Sequence, residues 1–375
     1  MKKWLMLGLL MSMDVVYGQG KPVFSGQFSS FINYSPQSAL PVMAGGRYVP
    51  QLDYKVALDS TQAVDFEAGV LLSGYGQTDS FRDFTSDFTF KPYRLWARYT
   101  NRHTEVRLGL QQIDFGPAMI LRPMQWFDQI DPRDPLRHTQ GQYGLLGRYY
   151  FTNNANIWLW TLYGNRKGNV WDLFDTHPKY PAFGGRAQVP IPKGEAALSF
   201  HHRTGHAVGV VNIPDFEIIP ENRIGLDAKV DLGIGLWAEF TTIARTKDLN
   251  GYTHQRMAMA GADYTFGIGN GLTVIAEQLT FSLAPESFEK GVLWRFSALS
   301  LNYPLTALDR VSGLMYRNWR TDAMVWMFNY QHDFRKWTGY VIGYWNPKLV
   351  QVGWQSDLES PFSGPGFRFM MVYNH

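Results

Sequence analysis

Cysteine is missing altogether from the 375 residues, which excludes a disulfide framework, thiolate metal sites and cysteine nucleophiles. Charge is sparse as well. Only 18% of residues are Asp, Glu, Lys or Arg, and the formal net charge of +3 is too small to point to nucleic acid. Beyond the N-terminus no apolar run approaches the ~18–20 residues of a spanning helix, and the mean hydropathy is −0.23, so a helical membrane protein is excluded. Long Ala/Leu/Glu/Lys-rich helical patterns are absent too. What is abundant is aromatic residues (15%) and glycine (36 residues). A soluble chain of this length would ordinarily divide into two or three domains, and this composition argues against that.

The N-terminus reads as a secretory signal over residues 1–18. Lys2 and Lys3 precede the apolar run Trp4–Met13, and Val16-Tyr17-Gly18 offers a cleavage point before Gln19. The run is too short to span a bilayer, and no cysteine follows to carry a lipid anchor. The mature chain, 19–375, is then one exported domain.

That domain reads as a series of strands. Apolar and polar residues alternate, so that one face meets an apolar phase. Phe24, Phe28, Ile32 and Tyr34 oppose Gln27, Ser29 and Asn33. Tyr93, Leu95, Ala97 and Tyr99 oppose Arg94 and Arg98, and Ile224, Leu226, Ala228 and Val230 oppose Arg223, Asp227, Lys229 and Asp231. Eighteen strands are expected near 23–34, 47–58, 62–74, 91–100, 104–112, 143–151, 156–164, 182–189, 194–203, 222–232, 234–245, 256–266, 272–282, 295–304, 308–317, 322–332, 337–345 and 366–374, with 16 to 20 as the range because 207–219 and 348–354 admit further strands. Short polar turns alternate with longer connections. That alternation is the mark of an antiparallel up-and-down β-barrel in an outer membrane. No water inside the bilayer satisfies a free strand edge, so the strands must close. An even number of strands places both termini at one end, expected to be periplasmic. The lipid bilayer is the first partner this implies.

The connection after the fifth strand departs from the pattern. Between Gln112 and His138 it carries Ile120, Leu121, Trp126, Phe127 and Ile130 together with four prolines. It is too apolar for a solvated loop, and the prolines prevent a regular strand. The available place for it is the lumen, folded against the wall. Val106 to Gly116, running into Leu121-Arg122-Pro123-Met124-Gln125-Trp126-Phe127-Asp128-Gln129-Ile130-Asp131-Pro132-Arg133-Asp134-Pro135, resembles outer-membrane porins of Bacteroidota-type bacteria and is similar, more loosely, to 18-stranded alginate-exporter barrels. The resemblance covers some thirty residues. It implies that the 113–142 loop folds inward and constricts a channel. The C-terminus departs from the common terminal Phe, ending Tyr373-Asn374-His375.

Charge placement suggests where a constriction would lie. Arg94, Arg98, Arg107 and Arg148 share the lumen-facing parity of neighbouring strands. The loop adds Asp114, Asp128, Asp131 and Asp134 beside Arg122, Arg133 and Arg137. Cationic wall facing acidic loop would set a transverse field that filters polar solutes; equally, the arginines would pair with the loop aspartates and pin the loop. Summed over the lumen, the slight positive excess points to mild anion preference.

Other groupings carry less. His201, His202 and His206 read as a solvated cluster rather than a metal site. Ser199 and His201 share a strand face but are about 7 Å apart, outside hydrogen-bond reach, so no enzyme is expected. No cofactor is implied. The leading expectation is a diffusion channel for small polar solutes, since 16–18 strands enclose an aqueous lumen. The alternative is a plugged barrel serving as a subunit of a surface secretion, assembly or adhesion complex. A homo-oligomer fits either reading.

Overall fold

A computed structural model describes residues 20–79, 83–128, 130–210, 212–287, 289–347 and 364–375; the proposed signal over 1–18 and the run near 348–354 lie outside them. The chain is all-β, an antiparallel barrel closed by eighteen strands. In order these are β1 (Val23–Tyr34), β2 (Val42–Ala57), β3 (Ala63–Thr78), β4 (Phe84–Thr100), β5 (Thr104–Gln111), β6 (Gln142–Tyr150) and β7 (Asn156–Leu162). A two-residue ladder, β8 (Asp175–Thr176), pairs with Gly205 and His206 inside a loop and is not part of the wall. The wall continues with β9 (Ala182–Ile191), β10 (Gly194–His206), β11 (Ile219–Asp231), β12 (Gly235–Arg245), β13 (His254–Phe266), β14 (Leu272–Ala284), β15 (Val292–Pro304), β16 (Asp309–Asn318), β17 (Ala323–Asp333), β18 (Trp337–Trp345) and β19 (Pro365–Asn374).

Each wall strand pairs with its sequence neighbours, and β1 closes against β19 from Gln27↔Asn374 to Tyr34↔Phe367. The C-terminal residues are part of that seam. Gly26 and His375 exchange backbone hydrogen bonds of 3.0 and 3.1 Å, and Tyr48 Oη lies 3.1 Å from His375 Nε2. With no edge left unpaired there, the strand rows satisfy each other as a bilayer requires.

The period-2 pattern sorts the side chains as expected. Phe24, Ile32, Leu226 and Phe328 are half or more exposed on the outer face (61, 58, 50 and 56%), while Ser29, Asn33, Arg223 and Asp227 are buried on the inner one. So many apolar side chains on the outside of a water-soluble protein would form one contiguous adhesive patch; against lipid they are in their own medium. A tight turn closes β11 and β12 through Gly233 (φ +87°), whose N–H donates to Asp231 Oδ1 at 2.9 Å.

All eighteen expected strands are found, but several are longer than the pattern suggested, β4 most of all. The expected connections 35–46 and 75–90 shrink because β2 starts at Val42, β3 runs to Thr78 and β4 starts at Phe84. In β4 the alternation is disguised by an irregularity where Gly69 pairs with Arg94 but Val70 with Pro92. The extra residue in β4 switches its parity, so Leu95 below and Phe84, Phe88 and Phe90 above are all exposed (57, 68, 68 and 63%) despite odd and even numbering. Pro92 lacks an N–H and sits where the ladder is interrupted. Tyr93, expected on the apolar face, is the residue skipped; its ring lies 4.2 Å from the Arg94 guanidinium and edge-on to His138. The run 207–219 forms no strand before Ile219 among the described residues.

Candidate functional site

The connection between β5 and β6 does turn inward. Ile113, Leu121, Met124, Trp126 and Phe127 are buried. Phe115 and Phe127 pack against Trp160 of β7, and His201 of β10 packs on Trp126 and Phe127 with centroids 6.2 and 4.9 Å apart.

A loop with four prolines has few internal hydrogen bonds, so its amides must be satisfied by the wall. Two inward glutamates do this. Glu277 of β14 accepts from the N–H groups of Met119, Ile120 and Leu121 at 2.7, 3.1 and 2.7 Å, and from Trp237 Nε1 at 3.2 Å. Glu239 of β12 accepts from Ala118 N at 2.8 Å and Met124 N at 3.1 Å. Gly116 has φ +92°, and a Cβ there would collide with the Glu239 carboxylate. The loop thus crosses the lumen from β5 to strands more than 100 residues later in sequence. Near its exit, Gln140 N and Gln112 Nε2 donate to Asp128 at 2.9 and 3.4 Å, and Gln142 Nε2 donates to Phe127 O at 2.9 Å.

The charged residues pair differently from either expectation. On the wall, Arg98 pairs with Asp65, with Nε at 3.0 Å, and Glu105 draws in Arg107 at 2.9 Å and Arg148 at 3.4 Å. These arginines therefore face wall carboxylates rather than the loop's aspartates. Arg107 and Arg148 also cover the rings of Trp96 and Trp158. Arg94 donates to Tyr93 O at 2.7 Å and bonds Thr139. Within the loop, Arg122 pairs with Asp114 and Arg133 with Asp131. Asp134 reaches the wall, at Arg47 of β2 (3.3 Å), a residue the sequence did not single out. Arg137 (φ +45°) is exposed and its guanidinium makes no hydrogen bond or ion pair among the described residues. His138 is half-buried beside the charge of Arg47; burial first, then that charge, pushes its pKa down to about 4.

Between the loop and strands β14–β17 remains a cavity of ≈ 450 Å³. The loop side of it presents Asp114, Arg122, Ile130 and Arg137; the wall side presents Ser300, Asn302, Ser312, Leu314 and Met327. Asp114, Arg122 and Arg137 are thus the expected residues that border this space. Arg94, Arg98, Arg107 and Arg148 are in the ion pairs and ring contacts of the opposite wall.

A second loop escaped the sequence reading. The connection 163–181 also turns in: Trp171, Leu173 and Phe174 are buried, and Trp171 Nε1 donates to Leu121 O of the first loop at 3.1 Å. It is held by a buried charge network. Asp172 accepts from Arg203 and Arg223 at 3.0 and 2.7 Å, and Glu221 accepts from Arg203, Arg223 and Arg245 at 2.7, 2.6 and 2.8 Å. The apolar run Val170-Trp171-Asp172-Leu173-Phe174 was the legible signal for it.

The histidines divide. His201 is buried, not solvated, and accepts from Trp160 Nε1 at 3.2 Å. His202 contacts Asn222 at 2.8 Å. Among the described residues no group of three acidic or histidine side chains is placed to hold a metal. Ser199 receives Arg186 Nη1 at 3.1 Å, and Arg186 forks onto Asp227 at 2.5 and 2.9 Å.

No protein-family profile and no curated protein matches this chain in sequence. Solved structures do match in fold. An anion-selective porin from Comamonas acidovorans superposes with a TM-score of 0.52 at 13% identity, covering 95% of this chain and 100% of that one. OccK7 (OpdD) of Pseudomonas aeruginosa gives 0.53 at 10%, covering 95% and 99%, and OccAB3 of Acinetobacter baumannii gives 0.55 at 9%, covering 95% and 99%. The likeness is one of fold: these porins are closed β-barrels of the same architecture.

Proposed function

We propose that the protein, exported by a signal over residues 1–18, is an outer-membrane diffusion channel for small polar solutes, with its termini and short turns periplasmic and the 112–141 loop as its constriction. The observation that carries this reading is the cavity left between that loop and β14–β17 inside a closed barrel. The resemblance of strand five with Leu121–Pro135 to Bacteroidota-type porins, and more loosely to alginate-exporter barrels, supports it. Asp114 and Arg122 neutralise each other there, while Arg137 is the uncompensated charge. Anions are accordingly the favoured solutes, a preference that one fold neighbour carries in its name.

The test is conductance of the refolded protein in planar bilayers, with reversal potentials in a KCl gradient. Discrete steps with chloride preference are expected, and Arg137→Glu shifts the reversal potential toward potassium without loss of steps. Pure, folded protein that conducts nothing would overturn the channel reading. A second reading, a plugged barrel within a surface complex, draws on the second inward loop and its buried charges. Stoichiometric co-purification of partners with a non-conducting barrel would favour it.

A further inference from the structure

The outer face of β13–β16 breaks the apolar rule at one height. Arg256 on β13 shares its outward parity with Phe240 across Ala258, and stands in register with Ser282. Arg295 on β15 faces Thr280, and Arg317 on β16 faces Ser297. One row further toward the turns the surface becomes Leu299, Met315 and Trp326, which continue the apolar belt. All three arginines lie within a few residues of the loop end of their strands, so they form a cationic band where hydrocarbon gives way to headgroups.

We infer that this band binds the phosphate groups of a phosphorylated membrane lipid in the leaflet nearest the long loops. An arginine on a lipid-facing surface is retained only where an anion or water meets its guanidinium. Neighbouring strands are about 4.8 Å apart and residues advance about 3.3 Å along a strand, so Arg295 stands roughly 12 Å from Arg256 and roughly 8 Å from Arg317, and the whole band spans roughly 20 Å, enough for neighbouring arginines to meet the separate phosphates of one headgroup. Their protein partners leave most donors unused. Arg256 donates to Glu289 O at 2.8 Å. Arg317 donates to the exposed Asp322 at 2.7 Å and lies over the Trp319 ring at 4.0 Å, with its Nε buried and unpartnered. Arg295 is exposed, and its side chain has no hydrogen bond or ion pair among the described residues. Guanidinium forks match phosphate geometry, and their charge-assisted bonds strengthen at the edge of a low-dielectric layer. The acidic groups near the band, Glu286, Glu289 and Asp322, sit on the loops above it rather than among the strand residues.

The test uses the full mature chain in phosphatidylcholine nanodiscs doped with bisphosphorylated lipid A, with bound lipid counted by native mass spectrometry. The triple variant R256Q/R295Q/R317Q is expected to bind lipid A on the order of 100-fold more weakly, about fivefold per arginine, with channel conductance unchanged because none of the three faces the lumen. Dephosphorylated lipid A is expected to bind both proteins equally. Should the triple variant fail to show heat-modifiable gel mobility, Arg295→Gln alone reads the fivefold effect. Equal lipid A retention by the wild type and folded variant, undiminished binding of the dephosphorylated lipid to the wild type, or displacement by millimolar inorganic phosphate would each overturn the assignment.

Discussion

Glu277 shows how much of this interior depends on single side chains. One carboxylate satisfies three consecutive loop amides and an indole N–H. Removing it strands those donors in a buried site, at roughly 1–3 kcal/mol for each group left unpaired. Glu277→Ala is therefore expected to release the 118–121 segment, losing at least 100-fold in amide-exchange protection there, while barrel amides keep theirs; unchanged protection at Met119–Leu121 would show the loop to be held by packing alone. At this scale the sequence was only half readable. The inward parity of Glu239 and Glu277 follows from counting along β12 and β14, but nothing local says that backbone amides over 100 residues earlier are their partners. The same gap explains the arginines. Arg98, Arg107 and Arg148 were legible as lumen residues, yet whether they meet the loop or Asp65 and Glu105 depends on which strands lie side by side.

Two loops, more than any strand, decide what the barrel interior is. In the first, His138 is held neutral, its pKa depressed to about 4 by burial and by the Arg47 charge. A detached loop would titrate near the usual 6.5 and take up the proton more readily. The docked loop is thus fully favoured above pH 6.5, and loses stability progressively as pH falls from 6.5 to about 4. Gating noise or proteolysis within 112–141 is expected to rise over that window in the wild type and to stay flat in His138→Phe, which keeps the ring against Tyr93. Under the second loop, Glu221 of β11 balances Arg203, Arg223 and Arg245 beside the loop's Asp172. Neutralising it leaves three guanidiniums with one carboxylate. Breaking such a buried set costs about 3–5 kcal/mol, so Glu221→Gln is expected to lower the denaturant midpoint for loss of heat-modifiable mobility, and to expose Trp171 to fluorescence quenchers. An unaltered midpoint would mean that water already solvates the cluster. The 163–181 loop was missed because its length is unremarkable for an external loop; only its aromatic core distinguishes it.

The whole molecule is a closed wall, and closure is tested at its seam. β1 and β19 are joined along eight residue pairs, extended by Gly26, Tyr48 and His375. Deleting 373–375 opens a strand edge at one end of the barrel, which a bilayer penalises. Slower assembly into detergent-resistant, heat-modifiable protein is expected, by severalfold, with the surviving folded fraction conducting normally. Likewise, removal of 117–134 from the first loop should leave the strands paired and raise conductance if the loop is the constriction.

The sequence alone determined which segments are strands and, outside β4, which face of each points outward, because alternation is a local property repeated in every segment and independent of where the strand ends up. It also marked the connection after strand five as unfit for solvent, since its apolar content is local too. The length of β4 needed the structure, because one skipped residue at Tyr93 reverses parity and disguises strand as loop. So did the pairing of charges, the second inward loop, the buried His201 and the cavity beside β14–β17. Each of these is a relation between residues that only the curvature and closure of the sheet bring face to face.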